Sequence, residues 1–213
     1  VAMTENADPA RLVDQLGQRW TLAETSFKFH ASCRHTHPAA DALQAAMREN
    51  AITINDIESV VAHVHQGAID VLGPVTDPQT VHQSKFSMGT VLGLIAAHNS
   101  ADLVSFDGAL KDNAVTEFRD RVTMVLDPEI DNAYPQRWIG KVTVTTKDGK
   151  TMTTVVQEPK GDPGNTLSRA EIEDKLKRLG TYQGAASADV LDALANRIWQ
   201  LETHTKVDQI MSA

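Results

Sequence analysis

The stretch that most constrains the fold is the pair of alternating runs on either side of Lys147-Asp148-Gly149-Lys150. Residues Lys141 to Val144 and Thr151 to Val156 place Val and Thr with a period of two. An Asp-Gly step favours a tight hairpin turn, because glycine takes the backbone conformation that such turns demand. Val and Thr also pair well across strands. A ribbon over residues 141–157 is therefore expected, with further strands near 21–30, 57–72 and 122–126. Apolar residues at helical spacing predict helices over 38–49 (Ala39, Ala40, Leu43, Ala46, Met47), 85–98 (Phe86, Val91, Leu92, Leu94, Ile95, Ala96) and 113–122. Strands and helices interleaved in this way give a mixed α+β layer fold.

The chain divides at Glu158 to Asn165, where two prolines and two glycines break any regular element. Beyond it, Ser168-Arg169-Ala170-Glu171 has the capping-box pattern and opens a helix to about Leu179, with Gly180 as its stop. Ser187 caps another helix, whose stripe is Val190, Leu191, Leu194, Ile198 and Leu201. At the other end, Leu12, Val13, Leu16 and Trp20 predict an amphipathic helix from Asp8 to Trp20.

No apolar run approaches the roughly 20 residues needed to span a bilayer, and one cysteine rules out an internal disulfide framework and agrees with a reducing, cytoplasmic setting. The formal net charge of -8, without basic-aromatic interleaving, argues against nucleic acid as a partner.

Against that acidic background, residues 28–37 carry no carboxylate but hold Lys28, Arg34 and three of the eight histidines. Clustered cations focus a local field whatever the net charge, so this window suits a small anion. Arg34 offers a planar donor fork for a carboxylate and Lys28 a compact charge. Thr36-His37-Pro38 reads as a helix start, with Thr36 at the N-cap. The opposing interpretation is a solvated charged loop. Zinc on Cys33, His35 and His37 lacks a fourth ligand at a recognisable spacing, and a Cys33 nucleophile beside His35 is poorly oriented so close along the chain. Lys85 and Ser87 stand at the expected start of the 85–98 helix, where an anion is naturally stabilised. His63 and His65, two apart on the expected strand, would point the same way.

Three segments together resemble the MmgE/PrpD family: Lys28 through Pro38, Lys85-Phe86-Ser87-Met88, and Gly161-Asp162-Pro163-Gly164-Asn165 leading into Leu167-Ser168-Arg169-Ala170-Glu171-Ile172. They stand in family order, and the resemblance runs over nearly the whole chain. The family includes 2-methylcitrate dehydratase, cis-aconitate decarboxylase and an iminodisuccinate epimerase. The resemblance implies the end of a helical domain in residues 1–23, an α+β lid domain in 24–163 and C-terminal helices of the helical domain in 164–213. It implies further a small di- or tricarboxylate substrate, no cofactor or metal, a homodimer, and an N-terminal helical domain or separate subunit that carries the proton-transferring residues. Lys28, Arg34, His37 and Lys85 are then expected to bind substrate. Cys33 takes the place of a second pocket histidine, and Thr90 that of a pocket tyrosine. The isolated chain is expected to be inactive as a lyase. The alternative is an anion-binding or dimerisation module without catalysis.

Overall fold

The computed structural model describes residues 8–203. Its centre is a four-stranded mixed sheet in the order β2-β1-β3-β4, built from β1 (Ile57–Val64), β2 (Val122–Leu126), β3 (Gly140–Thr146) and β4 (Thr151–Val156). β1 and β2 run parallel, joined by a long helical crossover, while β1–β3 and β3–β4 are antiparallel. The hairpin forms as the alternation requires: Gly149 adopts φ +86° in the turn, and Val144 faces Met152 while Thr143 faces Thr153.

Helices α1 (His37–Asn50), α2 (Gln66–Leu72), α3 (Val81–Ser84), α4 (Met88–His98), α5 (Ser105–Gly108), α6 (Asn113–Arg119) and α7 (Pro128–Ala133) accompany the sheet. α1 lies across β3 and β4, and α4 packs between α1, α6 and β2. One continuous core results, with Val60, Ala62, Val142 and Val144 from the sheet meeting Leu43, Val91, Leu92, Ile95, Phe106, Val115 and Phe118 from the helices. Each such side chain contributes about 1.5–3 kcal/mol when fully buried. The opposite sheet face, with Thr123, Val125, Thr143, Thr153 and Val155, is only partly covered.

α8 (Arg169–Gly180) and α9 (Ala188–Trp199) follow the Pro/Gly break. Ser168 and Glu171 form the reciprocal capping box and Ser187 accepts from the Val190 amide, as their sequence signals require.

Four sequence expectations are corrected. Asp8 to Trp20 is not a helix: only Pro9–Leu12 forms a 3-10 turn, Gln15 and Gly17 take positive φ, and Leu12 and Leu16 are 84% and 77% exposed. Its amphipathic stripe meets no apolar partner among the described residues, and a short helix gains little without one. Residues 21–30 add no strand to the sheet, because Thr21–Glu24 is a 3-10 turn and the rest runs extended over the surface. The strand expected over 57–72 ends at Val64: the Asp131 carboxylate accepts the Gln66 amide at 2.8 Å, and α2 begins there. Finally, α4 starts at Met88 rather than Lys85; Ser87 is its N-cap, and Lys85 closes the short α3 instead.

Candidate functional site

The cationic window, residues 28–37, is exposed at Lys28, buried or half-buried from Phe29 onward, and turns into α1 through a 3-10 turn at Arg34–Thr36. That turn changes the expected helix start. The His37 amide donates to the Arg34 carbonyl, and the Thr36 hydroxyl is turned back to the Cys33 carbonyl at 2.8 Å, so Thr36 makes no side-chain cap.

The window is clamped at three points to the Pro/Gly loop that looked like a simple boundary. First, the Phe27 amide donates to the Gly161 carbonyl at 2.8 Å; Gly161 has φ +100°, and a Cβ there would lie 2.2 Å from the Phe27 carbonyl, so only glycine fits. Second, buried His30 meets the buried Asp41 carboxylate at 2.8 Å, whose other oxygen accepts the Lys160 amide at 2.6 Å. Third, Arg34 pairs with the buried Asp162 carboxylate and lies 5.0 Å over the Trp138 ring. Isolated surface ion pairs are worth little, but these partners are largely withdrawn from water, where losing one leaves the other uncompensated.

Within this frame the candidate residues separate. The Lys28 ammonium donates to the Ser32 carbonyl at 3.2 Å, and His37 Nε2 lies 3.4 Å from the same oxygen. The Cys33 amide donates to the Lys85 carbonyl at 2.8 Å, and the Lys85 ammonium lies 5.6 Å from the centre of the Phe106 ring. Lys28, Cys33 and His37 thus share one segment, to which Lys85 is joined through its backbone carbonyl. Arg34 has its guanidinium spent on Asp162 and Trp138, beside a cleft of about 340 Å³ also lined by Ser26, Arg137 and Glu158.

His37 is not a cation. Complete burial, reinforced by neighbouring His30, Arg34 and Lys28, pushes its pKa down to about 2. It is a neutral group bracing the Ser32 carbonyl. Thr90, on the first turn of α4, is buried too, and its hydroxyl has no hydrogen-bond partner among the described residues. An unmatched buried hydroxyl carries a desolvation cost, which marks this as a position where packing alone does not account for a threonine.

Two groupings escaped the sequence. His35 Nδ1 lies 3.1 Å from His65 Nε2, and His65 stacks on Tyr134 with ring centres 3.7 Å apart. Trp138 closes the cluster against His35. Burial lowers the pKa of both histidines, that of His65 to about 4, so the pair shares a proton between neutral rings. His63 does not share this cluster: it stays on the open sheet face, bonded to Thr143 at 2.9 Å and near the Asp127–Lys141 pair. The alternation of His63 and His65 was visible, but the end of β1 between them was not. The second grouping is Lys175 on α8, whose ammonium donates to the Lys28 carbonyl at 2.6 Å. Nothing near Lys175 in the sequence points to residue 28.

These features define a mixed α+β unit whose sheet and helices hold a clamped cationic segment. No group of three or more potential metal-ligating side chains is assembled among the described residues, and no helix among them is long and apolar enough to cross a membrane. The chain belongs to the MmgE/PrpD family: the family model for the MmgE/PrpD C-terminal domain matches residues 30–201. No curated protein matches the chain significantly.

Proposed function

We propose that this chain supplies the cationic, substrate-binding part of an MmgE/PrpD-like lyase or isomerase acting on a small di- or tricarboxylate. The observation that carries the reading is Lys28: it has no carboxylate within ion-pair distance among the described residues, yet it sits on a segment clamped at three points. An ammonium free of any carboxylate and carried on a clamped backbone is a suitable partner for a carboxylate whose negative charge grows as a proton is removed beside it. Lys85, reached through Cys33, is the second cation in this reading. Cys33 and Thr90 are the two uncharged positions assigned to the pocket in this reading. His37 holds the Ser32 carbonyl that orients Lys28. Arg34 serves by keeping the window on its loop.

The histidines of the window support a binding rather than an acid–base role for this part of the protein. His37 is buried and neutral, His30 is paired with Asp41, and His35 is packed at a tilt into an aromatic cluster. The proton-transferring groups are assigned to the helical domain that the family resemblance implies, whether fused or a separate subunit, in a homodimer. The same observation favours the second reading, an anion-binding module without turnover of its own.

Calorimetric titration with citrate, methylcitrate, cis-aconitate and iminodisuccinate tests the proposal. At least one acid is expected to bind saturably, and Lys28→Ala to weaken it about tenfold or more, the loss of one charge-assisted contact. Equal weak binding by every acid, indifferent to Lys28→Ala, would overturn the reading. Purified chain is expected to show no dehydratase or decarboxylase turnover; measurable turnover would move the acid–base pair into these residues.

A further inference from the structure

Partly buried lysines in this protein ordinarily face a carboxylate. Lys141 reaches Asp127 at 2.7 Å, Lys160 reaches Glu171 at 2.9 Å, and Lys177 reaches Asp192 at 2.7 Å. Lys85 and Lys175 are partly buried as well, but neither has a carboxylate within 4.0 Å among the described residues. Withdrawing an ammonium from water without an opposite charge is unfavourable. Burial pushes the Lys175 pKa down, and the nearby Arg178 guanidinium pushes it the same way. Arg178 itself is satisfied by Asp174 at 2.7 Å and lies 3.8 Å from Asp102.

These two unpaired lysines flank one segment. Lys85 is joined through its carbonyl to the Cys33 amide, and Lys175 donates to the Lys28 carbonyl. An ammonium carries three N–H donors, so Lys175 keeps two without a partner among the described residues. Lys28 and Lys175 therefore place two ammonium groups without a carboxylate partner on backbone carbonyls of residues 28–32, and Lys85, joined to Cys33 through its own carbonyl, adds a third such lysine from another part of the chain.

Resting on the proposed function above, we infer that Lys175 is a third carboxylate-binding cation of the Lys28 site, delivered by α8, and that it sets a preference for tricarboxylates over dicarboxylates. A dicarboxylate is satisfied by two cations. A third carboxylate needs a third cation, and α8 is the element that brings one to the window.

The test compares citrate with succinate by calorimetric titration at low ionic strength, using wild type, Lys175→Gln, Lys175→Arg, Lys28→Ala and, as a surface control, Lys177→Gln. Lys175→Gln is expected to weaken citrate about tenfold and succinate less than threefold, as loss of one charged contact requires. Lys175→Arg should retain citrate binding within about threefold, and Lys177→Gln should match wild type. NMR of the Lys175 ammonium supplies a measurement that needs no variant to fold: its pKa should rise when citrate binds. Citrate bound as tightly by Lys175→Gln as by wild type, with Lys28→Ala still disruptive and the Lys175 pKa unmoved, overturns this inference and leaves the proposed function standing. Wild type that binds neither acid overturns both.

Discussion

The sheet with its covering helices and the α8–α9 pair are held by different forces. Every member of the main buried core lies between Ala39 and Val144, and α4, α6, β1 and β3 are joined by side chains without polar atoms. α8 has no buried residue, and α9 has only Leu191 and Ala195. That pair is attached by polar contacts: Lys175 to the Lys28 carbonyl, Lys160 to Glu171, Tyr182 to Asp107, and Arg178 to Asp102 at 3.8 Å. Val190, Ile198 and Leu201 stay more than two-fifths exposed. Burial makes the first region cooperative, whereas exposed charges in water bind weakly and are screened by salt. A cationic segment placed where the two regions meet is rigid on one side and loosely latched on the other.

That contrast can be broken in three places. The largest effect is expected from Phe118→Ala, which empties a fully buried position of the core and should cost about 3–5 kcal/mol in chemical denaturation. A loss below about 1 kcal/mol would mean that α6 is not part of the cooperative unit.

Acidification comes next. The native pKa of His37, about 2, lies below the ordinary histidine value of 6.5, so between these values the unfolded chain binds the extra proton. Its contribution is therefore complete above about pH 6.5 and is lost progressively as the pH falls. At pH 5 the loss is set by the unfolded value, about 2 kcal/mol relative to pH 7. His65, shifted the same way to about 4, adds to the slope. Denaturation midpoints measured from pH 7 to pH 5 should fall in wild type and fall less in His37→Gln; parallel curves would show that His37 is not held neutral.

The smallest effect is expected from Ser168→Ala, which removes the α8 capping box and should cost about 1 kcal/mol. Hydrogen exchange should quicken across α8 and leave β1 and β3 protected. Equal acceleration in both regions would show that they unfold as one, sharpening the contrast into a single cooperative structure.

Much of the fold was legible because its signals are local. The Asp148-Gly149 turn fixes which strand residues face each other, and Ser168 with Glu171 marks a helix start within four residues. The strand end before His65 was not legible, since the group that receives the Gln66 amide is Asp131, 65 positions away. The candidate site was legible as a composition and not as an arrangement. Lys28 could be singled out by the absence of neighbouring carboxylates, but Arg34 finds Asp162 at a separation of 128 residues, and Lys175 reaches Lys28 across 147.

By itself, then, the sequence determined the class of layers, the hairpin, the two capped C-terminal helices and the presence of a basic window in an acidic chain. Only the tertiary structure decided which of those cations stay uncompensated, that His37 is neutral, and that the apparent amphipathic stripe near the start remains exposed. The physical reason is one of range: turns and caps are satisfied within a few residues, whereas a charge state depends on burial and on partners that chain folding brings from far away.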